Sequence, residues 1–117
     1  MSLLPSGVKV HLALGITDMR KGLDGLAMLV QGVLKQDPFS GHLFLFRGRR
    51  ADLLKIVWWD GTGLCLFAKR LDEDRFRWPR IEDGVIRLSG AQLLALIEGM
   101  EWRRVHALRV RRPQSAG

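Results

Sequence analysis

The chain has 117 residues, the size of one domain, with room for an ordinary apolar core and none for a second catalytic unit. Its 47% hydrophobic and 26% charged content excludes disorder over most of the length. Nineteen Lys and Arg against twelve Asp and Glu leave a net charge of +7, a surplus that a polyanion-binding surface needs and that high arginine usage would also produce.

Val8 to Leu14 alternates in part and stops at Gly15, which predicts a strand. Thr17 or Asp18 can then cap a helix near residues 19–35, since Leu23, Leu26, Ala27, Val30 and Leu34 share one helical face. Gly22, Gly25 and Gly32 each cost that helix about 1 kcal/mol relative to Ala, so burial must hold it together. Asp37-Pro38 is expected to stop it.

Residues His42–Phe46 are apolar on both faces, as in a central strand, and Lys55–Trp59 is similar. Asp60-Gly61-Thr62-Gly63 predicts a turn that folds Leu64–Ala68 back as a hairpin. Arg75-Phe76-Arg77-Trp78 alternates like a further strand until Pro79, and Asp83-Gly84 precedes a last one at Val85–Leu88. Ser89-Gly90-Ala91-Gln92 has the spacing of a capping box and opens a second helix near 89–99, with Trp102 placed to pin its exit. The expected fold is one α+β domain over residues 1–102, a mainly antiparallel sheet of five to six strands with two helices, followed by a basic tail over 103–117.

Catalytic chemistry finds little support. His11, His42, His106 and Cys65 are far apart and match no zinc spacing, so neither metal nor cofactor is expected. Cys65 lies within an apolar strand and reads as a buried, inert thiol. Gly61-Thr62-Gly63 lacks the lysine and further glycine of a phosphate loop and reads as a hairpin turn. Asp72, Glu73 and Asp74 are consecutive, so their carboxylates diverge, and only Asp52 and Asp60 are left to meet across the sheet. The chain is therefore not expected to be an enzyme. With a single cysteine, no membrane-length apolar run and no signal-peptide pattern, a cytoplasmic location without membrane contact is expected.

The basic surplus is uneven. Residues 47–80 carry nine basic and five acidic groups, and residues 102–117 carry five basic groups and none acidic. Arg47-Gly48-Arg49-Arg50 falls between two strands and is expected to be a loop tip with all three guanidiniums free for phosphates. Lys69, Arg70, Arg75 and Arg77 add charge beside Phe76 and Trp78, a mixture suited to holding a nucleic-acid backbone while rings stack on bases. The same pattern describes a half-buried strand with its rings in the core and its arginines in water. The chain has no Asn, one of the two amides usually used to read adenine.

Blocks of this sequence resemble a known family. They are Thr17-Asp18-Met19-Arg20-Lys21-Gly22, Asp37 to Phe44, Phe46-Arg47-Gly48-Arg49-Arg50, Trp58-Trp59-Asp60-Gly61, Gly63 to Leu71, Phe76-Arg77-Trp78-Pro79 and Leu88 to Leu93. In order and spacing they resemble the TnpB, or Orf2-like, accessory proteins of the IS66 group of bacterial insertion sequences. The resemblance implies a protein encoded beside a larger transposase, which carries the catalytic acids, and needed with it for efficient transposition. It supplies no catalytic residues to carry over, and the resembling blocks run from about Val10 to Trp102, with none recognised in the residues that follow.

Two functions follow from these readings. The first is a non-catalytic accessory factor that binds transposon DNA, at the element ends, to assist the transposase. The second is a protein-interaction adaptor for the transposase with little DNA binding of its own, which exposed aromatics such as Trp78 and Trp102 would favour. Self-association is compatible with either.

Overall fold

The computed structural model describes residues 7–105. Five strands and two helices follow in the order β1 (Val10–Ile16), α1 (Leu23–Gly32), β2 (Leu43–Arg47), β3 (Leu53–Trp59), β4 (Leu64–Arg70), β5 (Val85–Leu88) and α2 (Gly90–Ile97). They form one sheet in the order β4-β3-β2-β1-β5, the α+β architecture expected. β2, β3 and β4 are a meander of antiparallel neighbours, and β5 pairs antiparallel with β1. β1 and β2 run parallel, Val10 opposite Leu43, because the chain between them makes a crossover that carries α1.

Both faces of the sheet are covered, which is why the central strands β1, β2 and β3 are apolar at most positions, with His11, Arg47 and Lys55 as the polar exceptions. On one face, Leu26 and Val30 of α1 pack on Ala13, Phe44, Phe46 and Val57. On the other, Leu93 and Leu96 of α2 pack with Trp102 and Phe76 on Val10, Leu12, Leu43, Leu45, Leu54, Ile56 and Leu88. Period-two alternation thus feeds two cores from the same strands.

Local chemistry accounts for the start of α2 and for the turn between β3 and β4. The capping box forms as the spacing implies: Gln92 N–H donates to Ser89 Oγ at 3.0 Å, and Ser89 N–H donates to Gln92 Oε1 at 2.9 Å. The 60–63 turn is held by Asp60 Oδ1, which accepts the backbone N–H groups of Thr62 at 2.9 Å and Gly63 at 2.8 Å, and Gly61 takes φ +105°. Those donors pull the Asp60 carboxyl down to about 2.

The structure corrects three expectations. The first helix is capped by Gly22 without a side-chain bond, because Asp18 is engaged by Arg20 four residues earlier. That helix ends at Gly32, ahead of the Asp37-Pro38 stop, and the chain turns through Lys35 at φ +55°. Arg75–Trp78 is not a strand. The segment crosses the α2 face to reach β5 at the far edge, buries Phe76 on the way, and bonds to the chain at Ala51 through Phe76 N–H at 2.9 Å and the Trp78 indole at 3.0 Å.

Candidate nucleic-acid interface

At the end of the sheet where β1, β2 and β4 finish, two loops are locked side by side. β1 leaves the sheet at Thr17, whose N–H donates to Arg47 O at 2.8 Å. Asp18 then folds the loop by accepting Arg20 N–H at 3.0 Å, and its carboxylate receives the Arg20 guanidinium at 2.8 Å. These hydrogen bonds hold the Asp18 carboxyl well below the usual carboxylate range. Lys55, inside β3, donates from Nζ to Met19 O at 2.6 Å and Lys21 O at 3.0 Å, fixing the loop to the sheet. Across from it, Met19 lies on Gly48 so closely that a Cβ there would stand 2.5 Å from Met19 Cγ. Glycine at 48 is therefore a packing requirement.

Between these loops and the end of β4 opens a groove of about 710 Å³, whose charged lining is Asp18, Arg20, Arg49, Arg50, Asp52 and Arg70. Arg20 pairs with Asp18, and Arg50 lies 3.6 Å from Asp52 in a mostly exposed contact of small energetic weight. Arg49 and Arg70 have no carboxylate partner among the described residues. Four guanidiniums against two carboxylates make the groove net positive. Its position outside the carboxyl ends of two parallel strands is where ligands of α/β sheets gather.

Of the residues singled out in the sequence, Arg49, Arg50 and Arg70 are exposed and share this groove. Arg20 completes it and was marked only by the Thr17–Gly22 block. Arg75 and Arg77 are exposed on the crossing segment that bonds to Ala51, beside the 48–52 loop. Lys69 points to the opposite face, where its Nζ sits 3.8 Å from Glu98 at the end of α2.

Arg47 departs from the free loop tip expected of it. β2 runs one residue further than the apolar pattern indicates, because Arg47 pairs with Ile16 on one side and Leu54 on the other. The side chain is only 7% exposed on the α2 face, its guanidinium carbon 5.4 Å from the Trp78 ring centre, and desolvation lowers its pKa.

The remaining reactive groups are dispersed. Asp52 and Asp60 flank β3 at opposite ends and do not meet, while Asp72, Glu73 and Asp74 are exposed. Cys65 is half-buried on the edge strand β4 rather than fully buried, and burial, then the Asp60 carboxylate, pushes its thiol up. No three His, Cys, Asp or Glu side chains among the described residues are grouped to hold a metal ion, and no helix among them is long and apolar enough to cross a membrane.

Fold and groove together define a small α+β domain with an arginine-lined groove, built from two loops and the end of β4, at one end of a doubly covered sheet. The chain belongs to the family of IS66 Orf2-like proteins, whose pattern it matches over residues 8–107. That family ties it to insertion sequences and to an accessory role in transposition. Two proteins of Sinorhizobium fredii are similar along nearly their whole length. Uncharacterized protein y4hO is 52% identical, with 98% of this chain and 100% of the relative covered. Uncharacterized protein y4jC is 36% identical, with 92% of each covered. No solved structure matches the chain.

Proposed function

We propose that the protein is a non-catalytic accessory factor that binds transposon DNA through the arginine groove and so helps the transposase engage the element ends. The observation that carries this reading is the convergence of Arg20, Arg49, Arg50 and Arg70 from three separate parts of the chain, two of them without a carboxylate partner among the described residues. Guanidiniums in that state are matched to phosphate oxygens, and Arg75 and Arg77 on the adjoining segment extend the same positive edge. Lys69, on the other face and near Glu98, is peripheral to it. Phosphate contacts of this kind give affinity without sequence reading.

The test is binding of element-end DNA, as duplex and as single strand, by fluorescence anisotropy over a salt series. Log affinity is expected to fall linearly with log salt. Absence of salt-dependent binding to both forms would overturn the reading in favour of the adaptor. That second reading no longer draws on Trp102, which is buried, or on Trp78, which is half-buried with its indole bonded. Its support comes from Met28 and Val33 at α1 and from Phe39, each more than half exposed. Retention of the transposase on immobilised protein after nuclease treatment is the result it requires.

A further inference from the structure

Arg47 is more than nine-tenths buried, yet no carboxylate pairs with it among the described residues. The one hydrogen bond of its side chain among the described residues runs from Nε to Gly48 O at 3.3 Å. Among the described residues neither Nη atom makes a hydrogen bond, and neither counts as a fully buried polar atom without a partner, as His11 Nε2 does. The guanidinium is thus held at Nε by Gly48 O and on one face by Trp78, with both Nη groups unbonded among the described residues.

Such an arrangement is costly for a cation without a counter-charge, and that cost is recovered when an anion with two oxygens meets the Nη fork. The surroundings select the anion. Arg77 is the chain neighbour of Trp78, Arg103 donates from Nη2 to Trp78 O at 2.9 Å, and Glu101 is already taken by Arg103 at 3.0 Å. The Trp102 indole donates to Arg77 O, which fixes this corner to the core. Arg103 is already paired with Glu101 and stacked on Trp102, so the unpaired charge at this corner is that of Arg47 with the exposed Arg77 near it, which a densely charged acceptor suits better than a carboxylate does. Arg47 also directly precedes Gly48, Arg49 and Arg50, so it stands on the α2 side of the edge whose α1 side is the groove.

We infer that Arg47, clamped on Trp78, is a preformed seat for a single phosphate group, and in the bound complex for a phosphate of the DNA backbone where it passes from the groove around the end of the sheet. The inference rests on the DNA-binding reading for the source of the phosphate, and on the geometry of Arg47 for the seat itself. It assigns to Arg47 a fixed contact, set by packing, in contrast to the solvated contacts of Arg49 and Arg70.

The experiment follows the Arg47 Nε–H and Trp78 indole resonances of the intact protein by NMR, with Arg47→Lys used for assignment, while element-end duplex is added. Both signals are expected to shift to saturation in step with binding. Arg47→Met and Arg47→Lys are each expected to weaken binding by about tenfold or more, since neither replacement can make a charged bidentate bond to phosphate. The salt slope should fall by about 0.9 in Arg47→Met and stay unchanged in Arg47→Lys, which keeps the charge. A merely structural arginine would not produce that split. DNA binding with unmoved Arg47 signals and wild-type affinity in both variants would remove the seat and leave the groove reading intact. If duplex does not bind, inorganic phosphate decides: a saturable Arg47 shift keeps the seat with free phosphate as its ligand, and no shift removes it.

Discussion

Replacing Arg49 and Arg70 together by Ala removes the two groove guanidiniums that lack a carboxylate partner among the described residues. Removing one phosphate-neutralising charge lowers the slope of log affinity against log salt by about 0.9 on duplex DNA, so the pair should flatten it by about 1.8. Between about 50 and about 200 mM salt, that difference makes the wild type lose about twelvefold more affinity than the variant. The weakening should be the same for related and unrelated DNA sequences, because phosphates carry no sequence information. Both side chains are exposed, so the denaturation midpoint should hardly move. Asp52→Asn supplies the opposite arm. It releases Arg50 from its carboxylate at 3.6 Å and should tighten binding and steepen the slope. Anisotropy titrations across the same salt range measure all three proteins. A folded double variant with an unchanged slope would refute the groove as the phosphate-binding surface.

Three further outcomes test the framework of the site. Trp102, 5% exposed and donating its indole N–H to Arg77 O at 2.6 Å, should cost about 3–5 kcal/mol as Trp102→Ala and about 1–3 kcal/mol as Trp102→Phe, measured by urea unfolding; equal costs would mean the ring adds nothing beyond its hydrogen bond. Gly48→Ala should destabilise by about 1–3 kcal/mol through the clash with Met19, and Met19→Ala in the same chain should recover most of that stability; simple additivity of the two would show that they do not touch. His11 is kept below its ordinary value of 6.5 by burial first, then by the charges of His42, Arg87 and Lys9. The unfolded chain therefore takes up this proton at higher pH than the folded chain does, so the contribution to stability is complete above about pH 6.5 and is lost as pH falls from there through the lowered value of the folded chain. His11→Phe should flatten the stability difference between about pH 8 and about pH 5.5, and an identical pH dependence in variant and wild type would count against it.

Elements with a local cause were legible from the residues alone. The hairpin of β3 and β4 follows from a turn in which Asp60 collects the donors of Thr62 and Gly63, and α2 begins where Ser89 and Gln92 satisfy one another. The apolar run of β2 announced a strand covered on both sides, because a position that faces either core must be apolar. These signals lie within a few residues of the atoms they arrange.

Features that depend on partners distant in the chain emerged only with the packed fold. Arg75–Trp78 has the alternation of a strand, yet β5 pairs at the far edge with β1, so the segment must cross the sheet face and cannot join a ladder. Arg20 and Arg70 are fifty residues apart and meet only because the crossover sets β1 parallel to β2 and the meander returns β4 to the same end. Arg47 shows the sharpest dependence. One additional residue of pairing keeps it in β2, and since successive side chains point to opposite faces, that single step turned an expected solvated arginine into a buried one stacked on Trp78.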